Sequence, residues 1–144
     1  MAFDLHTLRL AGGEAAAQWA MEQENWVILG IDHEEDHLSL RLVRELQKLG
    51  KSVHLVCPRC ARDGIKLLRL PVYEFIEDID EQVDVISLHG GVDQWTLAPH
   101  ISQRMQWYGD IKVIWPPENL VDDRWVSEMY DYGIAVAYNC RLPI

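Results

Sequence analysis

The feature that most constrains the fold is a change of hydrophobic period between residues 26 and 49. Residues 26–30 form a continuous apolar run closed by glycine, which is typical of a strand buried on both faces of a parallel sheet. Apolar residues then recur at helical spacing, as Leu38, Leu42, Leu46 and Leu49. The stretch therefore predicts strand, turn and helix. This is the opening of a βαβ unit, in which ligands bind beyond the first strand at a helix N-terminus.

The rest of the chain repeats this alternation. Further strands are predicted at residues 53–56, 83–88, 111–115 and 134–138, with a marginal one at 67–72, and further helices at residues 13–24, 95–108 and 122–132. The residues before 13 and the polar residues 59–66 are expected to be irregular. The pattern predicts an α/β, doubly wound, mostly parallel and Rossmann-like sheet in three α/β/α layers. We expect one domain over residues 1–144, with residues 1–24 as an N-terminal helical segment.

The net charge and the cysteine count argue against nucleic-acid binding, membrane-surface binding and a disulfide-stabilised fold. The formal net charge is -10 and the lysines and arginines are scattered, so nothing would neutralise the phosphates of a nucleic acid or an anionic membrane surface. Three cysteines leave an odd thiol and fit a reducing cytoplasm better than a disulfide framework. There is no N-terminal targeting pattern and no apolar run of membrane-spanning length, so we expect a soluble, cytoplasmic protein.

Several short motifs occur in the order and spacing of a known family. Ser39 follows Gly30 by nine positions, and Cys57-Pro58-Arg59 follows the second strand. The other matches are Val72-Tyr73, Asp78-Ile79, Val83-Asp84, the strand from Lys112 to Trp115, and Cys140. On these residues the chain, from about residue 26 to residue 140, resembles the small single-domain CoA-binding proteins of Rossmann type. The same fold forms the CoA-binding domain of the succinyl-CoA synthetase alpha subunit.

The resemblance implies a non-catalytic protein that binds CoA, acyl-CoA or a related nucleotide at the carboxyl-terminal edge of the sheet. It places the ligand between the loops after the first, second and fourth strands, at Gly30, Ile31, Asp32, Ser39, Cys57, Pro58, Arg59, His89, Gly90 and Gly91. In this site Arg59 would contact a phosphate, and the two later glycines would allow close approach of the ligand. We assign no catalytic residue, because the serines lack a nucleophile-elbow context.

The sequence departs from the family in the ligand loops. The loop after the first strand carries Asp32, Glu34, Glu35 and Asp36, where the family usually has small neutral residues. Four carboxylates would face a pyrophosphate, and each like-charge pair at ~4 Å costs roughly 1 kcal/mol in water. The family's asparagine before the proline is Cys57 here, and its arginine after the fourth strand is replaced within residues 88–91.

A metal or redox site on the same edge is the first alternative. Cys57 and Cys60 form a Cys-x-x-Cys pair, and His33 and His37 lie four residues apart, so thiolate and imidazole ligands could hold zinc or iron. A thioredoxin-like role is less favoured, because that chemistry needs a helix N-terminus and the residues after the cysteine are expected to be a polar loop.

A protein interface is the second alternative. Aromatic residues crowd the second half of the chain, at Trp95, Trp107, Tyr108, Trp115, Trp125, Tyr130, Tyr132 and Tyr138. Most are expected to pack inside. Any excess beyond what one small sheet can bury would favour a homodimer, or a ligand-free protein that acts through a partner.

Overall fold

The computed structural model describes residues 4–30, 37–89, 93–118 and 122–143. The helices in these ranges are α1 (Leu5–Ala11), α2 (Gly13–Met21), α3 (His37–Lys48), α4 (Pro58–Arg62), α5 (Gln94–Trp107) and α6 (Asp123–Asp131). The strands are β1 (Asn25–Leu29), β2 (Ser52–Val56), β3 (Val72–Tyr73), β4 (Val85–Leu88), β5 (Val113–Trp115) and β6 (Ala135–Val136). A short 3-10 turn, Ile76–Asp78, follows β3. Within these ranges no helix has the length and apolar character needed to cross a bilayer.

The strands described here form one parallel sheet in the order β3-β2-β1-β4-β5-β6. The central strand is β1, in which Trp26 pairs with Val53 on one side and Val85 on the other. The connections β1-α3-β2 and β4-α5-β5 run toward opposite edges, so right-handed crossovers place α3 and α5 on opposite faces. The predicted α/β, Rossmann-like parallel sheet is therefore confirmed.

The hydrophobic pattern that predicted β1 and α3 is also the pattern of burial. Residues 26–28 of β1 are fully buried, as expected for a strand covered on both faces. On α3, Leu42 and Leu46 are buried, whereas Leu38 is 50% exposed and Leu49, just past the helix, is 61% exposed. Only the middle of the predicted leucine stripe therefore contributes to the core.

Two helices precede the sheet, where the sequence predicted one helix after irregular chain. The first, α1, begins after Asp4, whose carboxylate accepts a hydrogen bond from the His6 amide at 3.2 Å. At the start of α2, a Cβ on Gly13 would lie 2.1 Å from the carbonyl oxygen of Tyr138. Glycine at this position therefore lets α2 approach the backbone beyond β6, and both helices contact that strand.

Residues 59–66, expected to be a loop, begin with a helix instead. The thiol sulfur of Cys57 accepts the amide of Cys60 at 3.2 Å and caps α4. Proline at the first helical position has a backbone already suited to the helix, so Pro58 favours its start. The start of α4 is therefore determined by the Cys57 cap and Pro58, and not by a regular spacing of apolar residues.

The weakest strands are also shorter than predicted. In place of a strand over residues 67–72, Leu67 and Leu70 form an isolated antiparallel bridge, and β3 begins only after Pro71. Proline cannot donate to a sheet ladder, which accounts for the delay. Likewise, β5 and β6 occupy only part of the predicted ranges 111–115 and 134–138.

A buried arginine holds the segment that follows β3. Arg104 on α5 is fully buried, and its guanidinium donates to the Asp110 carboxylate at 2.8 and 3.2 Å. It also donates to the backbone carbonyls of Ile76, Ile79 and Glu81. These hydrogen bonds attach the 3-10 turn and the chain after it to α5, and nothing in the sequence pattern predicted this turn.

A buried carboxylate joins the amino-terminal ends of three strands. Asp84 is 2% exposed and accepts hydrogen bonds from the Asn25 amide and side chain, at 3.1 and 2.9 Å. The Lys112 ammonium lies 3.1 Å from its other oxygen. Burial acts to raise the pKa of Asp84, but hydrogen bonds from Gln82, Asn25 and Lys112 hold that pKa below its usual value.

Candidate functional site

A cavity of about 300 Å³ opens at the carboxyl-terminal ends of β1 and β2. The described residues that line it come from these two strands, the start of α4, the segment after β3, and the first turns of α5. They are Leu29, Gly30, Val56, Pro58, Glu74, Phe75, Ile76, Asp93, Thr96, Leu97 and His100. The cavity lies beside the point where strand order reverses, between β1 and β4, and open α/β sheets bind ligands at such a point.

Gly30 forms one wall of this cavity. Its φ of 89° lies in the left-handed region, which side-chained residues rarely adopt. Its amide donates to the carbonyl of Val56 at 3.2 Å, so the end of β1 is tied to β2. The chain can therefore turn sharply where the apolar run ends.

The structure brings four of the predicted site residues together. Gly30 and Pro58 line the cavity, and Cys57 and Arg59 flank the proline. Cys57 is 8% exposed at the cap of α4, whereas Arg59 is an exposed residue of that helix. A backbone turn and a cation thus lie at the same edge of the sheet, and their role in ligand binding stays a prediction.

The other predicted residues lie apart or cannot be placed. Ser39 is fully buried in the first turn of α3 and is not among the described residues of the cavity wall. His89 is 5% exposed, and its ring Nε2 lies 2.7 Å from the hydroxyl oxygen of Ser87, in the interior. Four more fall outside the described residues: Ile31, Asp32, Gly90 and Gly91.

Most of the opposite wall was missed from the sequence. The ring of Phe75 stacks on that of His100, with centroids 4.9 Å apart and planes 10° from parallel. The Nδ1 atom of His100 lies 2.7 Å from a carboxylate oxygen of Glu77. A usable signal existed only for α5, because a right-handed crossover must bring the N-terminus of that helix to this edge.

The described walls are mainly apolar, with charge at the margins. Glu74 and Asp93 contribute carboxylates, and Asp93 already caps α5 by accepting the Trp95 amide at 3.0 Å. His100 is the only basic side chain among the described lining residues. The cavity is therefore suited to a flat or apolar group, whereas a phosphate inside it would meet negative charge.

The cysteines next to the site are paired. Cys57 and Cys60 are joined in a disulfide, with Cα atoms 5.3 Å apart, and Cys140 is a free thiol. The sequence favoured reduced cysteines and no helix at this position, and both expectations differ from the structure. The two cysteines are close because they lie at the cap and in the first turn of α4.

Metal ligation through these residues is not assembled in the described part of the chain. There, no three His, Cys, Asp or Glu side chains form a group that could hold an ion. His33 lies outside the described residues, and only the backbone of His37 is described. The predicted set of Cys57, Cys60 and two histidines is therefore not tested as a unit.

The aromatic residues divide between core and surface. Trp115, Trp125 and Tyr130 are buried, Tyr132 and Tyr138 are half-buried against the core, and Trp95 is 37% exposed, so five of the eight pack inside. At the end of α5, Trp107 is 64% exposed and Tyr108 is 46% exposed. Homodimerisation through such residues stays a prediction.

Fold and cavity together define a Rossmann-like α/β domain with a pocket at the carboxyl edge of its sheet. No protein-family model and no curated protein sequence matches the chain. Solved structures do match. A Thermus thermophilus protein has a TM-score of 0.74 at 16% identity, over 92% of this chain and 93% of the other. A hypothetical protein from Pyrococcus horikoshii has a TM-score of 0.69 at 17% identity, over 90% and 86%.

A third structural neighbour is a synthetase. The dinucleotide-forming acetyl-coenzyme A synthetase 1 of Ca. Korarchaeum cryptofilum, solved with phosphate and ADP, matches with a TM-score of 0.57 at 16% identity. The match covers 78% of this chain and 25% of the synthetase chain. At these identities the likeness shows the fold, which is shared with one part of a CoA enzyme.

Proposed function

We propose that the chain binds CoA, acyl-CoA or a related nucleotide at the cavity beyond β1 and β2, without catalysing a reaction. The position of the cavity, at the carboxyl ends of the central strands beside the reversal of strand order, carries this proposal. The resemblance of the motifs and the fold shared with part of an acetyl-coenzyme A synthetase support it.

The cavity holds only one part of such a ligand. Its volume of about 300 Å³ is at the lower end of the range for small-molecule sites, roughly 300–1,000 Å³. Because its walls are apolar and contain the stacked rings of Phe75 and His100, we assign it to the adenine base or the acyl end. The phosphates then lie outside, toward Arg59 and away from Glu74 and Asp93.

Thermal unfolding with a ligand panel tests this proposal directly. CoA, acetyl-CoA, ADP, NAD and ATP are compared at equal concentration. A ligand that binds only the folded state stabilises it by RT ln(1 + [L]/Kd), about 2.7 kcal/mol at a concentration one hundred times Kd. We expect CoA or acetyl-CoA to give the largest shift in Tm. A panel without any shift would contradict the proposal.

A cavity-filling variant locates the site. Thr96 is exposed yet lines the cavity, so Thr96→Trp should block the ligand without filling the core. Gln106→Trp adds the same side chain to an exposed position at the other end of α5 and serves as the matched control. Calorimetric titration should show binding lost in the first variant and kept in the second. Equal affinity in both would place the ligand elsewhere.

The role of Arg59 is tested through salt dependence. If its guanidinium contacts a phosphate, Arg59→Ala should weaken CoA binding and flatten the dependence of Kd on salt, because ions screen exposed charge pairs. The matched control is Arg141→Ala, which removes an exposed arginine paired with Glu118 at 3.5 Å. Titrations at two salt concentrations should change only for the first variant.

The acidic residues of the loop after β1 supply a test in which CoA affinity is expected to rise rather than fall. Replacing Asp32, Glu34 and Glu35 by their amides should raise CoA affinity if these carboxylates repel the ligand phosphates. Unchanged affinity would mean that the three side chains do not face the phosphates. Elemental analysis of the unsubstituted protein, kept reduced so that Cys57 and Cys60 are thiols, covers the other prediction, since a metal site there requires stoichiometric zinc or iron.

A further inference from the structure

A second cavity, of about 230 Å³, lies at the other side of the molecule, between α1, α6 and the chain after β6. Its described lining residues are Arg9, Asp123, Val126, Ser127, Tyr130 and Tyr138. None of them lines the cavity beyond β1 and β2, so this site is separate from the proposed nucleotide site. Its wall is rich in hydrogen-bond donors.

An arginine is held in position at this cavity. The guanidinium of Arg9 donates to the hydroxyl oxygen of Ser127 at 2.9 Å. Its central carbon lies 5.3 Å from the centre of the Tyr130 ring, in cation–π geometry. Two contacts therefore orient the guanidinium, whose remaining N–H groups can serve a ligand. Planar recognition of a carboxylate is what such a group does best.

A buried hydroxyl adds a second donor. Tyr130 is 5% exposed; its hydroxyl oxygen faces the Val136 amide, but among the described residues nothing accepts the hydroxyl proton. Burial raises the pKa of Tyr130 and the neighbouring Tyr138 adds to this, while the Val136 amide and Arg9 act in the opposite direction. The phenol therefore keeps its proton at neutral pH. Buried polar groups are nearly always paired, so a donor of this kind at a cavity wall indicates an acceptor supplied by a ligand.

The remaining wall indicates what else the ligand carries. Asp123 contributes a carboxylate, which would repel a simple anion but attract an ammonium group. Val126 and the tyrosine rings supply apolar surface for a small side chain. We infer that this cavity binds a small α-amino acid, with its carboxylate on Arg9 and the Tyr130 hydroxyl and its ammonium group on Asp123.

Matched probes test the inference. L-alanine, L-valine and propionate are titrated into the whole protein in a buffer without carboxylates, and amide chemical shifts are followed by NMR. We expect saturable shifts for an amino acid at the residues of this cavity, and at least roughly tenfold weaker binding of propionate, which lacks the ammonium group. Equal binding of propionate and alanine would overturn the role of Asp123. Saturable shifts for none of the three would overturn the site.

Tyr130→Phe removes only the hydroxyl and has two readouts. It should weaken binding of the amino acid by about tenfold, the effect of losing one hydrogen bond to a charged group. The ligand-free protein should keep nearly all of its Tm, because the hydroxyl proton lacks an internal acceptor and only the loose contact with the Val136 amide is lost. A Tm lowered by as much as the loss of a strong buried hydrogen bond would show an internal acceptor and overturn the inference. Arg9→Gln should abolish binding, while Arg124→Gln, which removes an exposed arginine over Trp95, should not.

Discussion

Replacing Arg104 by methionine should destabilise the protein more than any other single arginine change among the described residues. The guanidinium is fully buried, pairs with Asp110 and donates to the carbonyls of Ile76, Ile79 and Glu81. Methionine keeps most of the apolar stem but none of the donors. The Asp110 carboxylate, which keeps the Val83 amide, and the three carbonyls would then lose the guanidinium that offsets their removal from water.

The size of the effect follows from this geometry. Breaking a buried ion pair by removing one partner costs about 3–5 kcal/mol, and total stability is typically about 5–15 kcal/mol. For a domain of this length the Tm should fall on the order of 10–20 °C. Urea unfolding should show a lower midpoint with an unchanged slope if the native state remains compact. Because the freed segment carries Phe75, the proposed nucleotide binding should weaken as well.

The exposed ion pair between Arg141 and Glu118 supplies the control for this prediction. Arg141 lies 3.5 Å from Glu118 with 88% of its side chain exposed, so Arg141→Met should change stability by less than about 1 kcal/mol. If both methionine variants unfold at the same urea concentration, the buried network around Arg104 does not stabilise the fold and the reasoning is wrong.

Three further predictions concern other parts of the chain. The pKa of Asp84 is lowered in the folded protein. The stability that its carboxylate contributes is therefore complete above the unfolded pKa of about 3.9 and is lost as the pH falls below that value. In calorimetry at decreasing pH, Asp84→Asn should reduce this loss of stability. Mass spectrometry after alkylation of the oxidised protein should show one label, on Cys140, while Cys57 and Cys60 react only after reduction; labels on all three without reductant would contradict the pairing. Gly13→Ala should lower the free energy of unfolding by about 1–3 kcal/mol or more, measured as a lower urea midpoint, as expected for overpacking against backbone.

The helices and strands in which apolar residues recur at regular spacing over many positions could be predicted from the sequence. The unit β1-α3-β2 follows from a buried strand, a leucine stripe and Gly50, which are local features. In contrast, α4 has only five residues, too few for a period, and depends on the sulfur cap from Cys57. The 3-10 turn depends on Arg104, whose guanidinium reaches a carbonyl 28 residues away in sequence. No local pattern encodes such a contact.

The same distinction applies to the candidate site. The positions of Gly30 and Pro58 at this edge could be predicted, because Gly30 directly follows β1, Pro58 lies two residues beyond β2, and the ends of parallel strands meet at one edge. Ser39 kept the family spacing but lies inside, because the helix turns its side chain into the core. The stack of Phe75 on His100 joins a turn to the middle of α5, and only the tertiary packing brings these rings together.

The docking of α1 and α2 against β6 sets an order of events during synthesis. Both helices leave the ribosome before any strand of the sheet, yet the strand on which they rest is made after all the other strands described here. The apolar side of α1, with Leu8 at its centre, therefore remains uncovered while the intervening chain is translated. During translation, α1 and α2 would therefore lack the strand they dock on until β6 is made, and we expect chaperone binding in that interval.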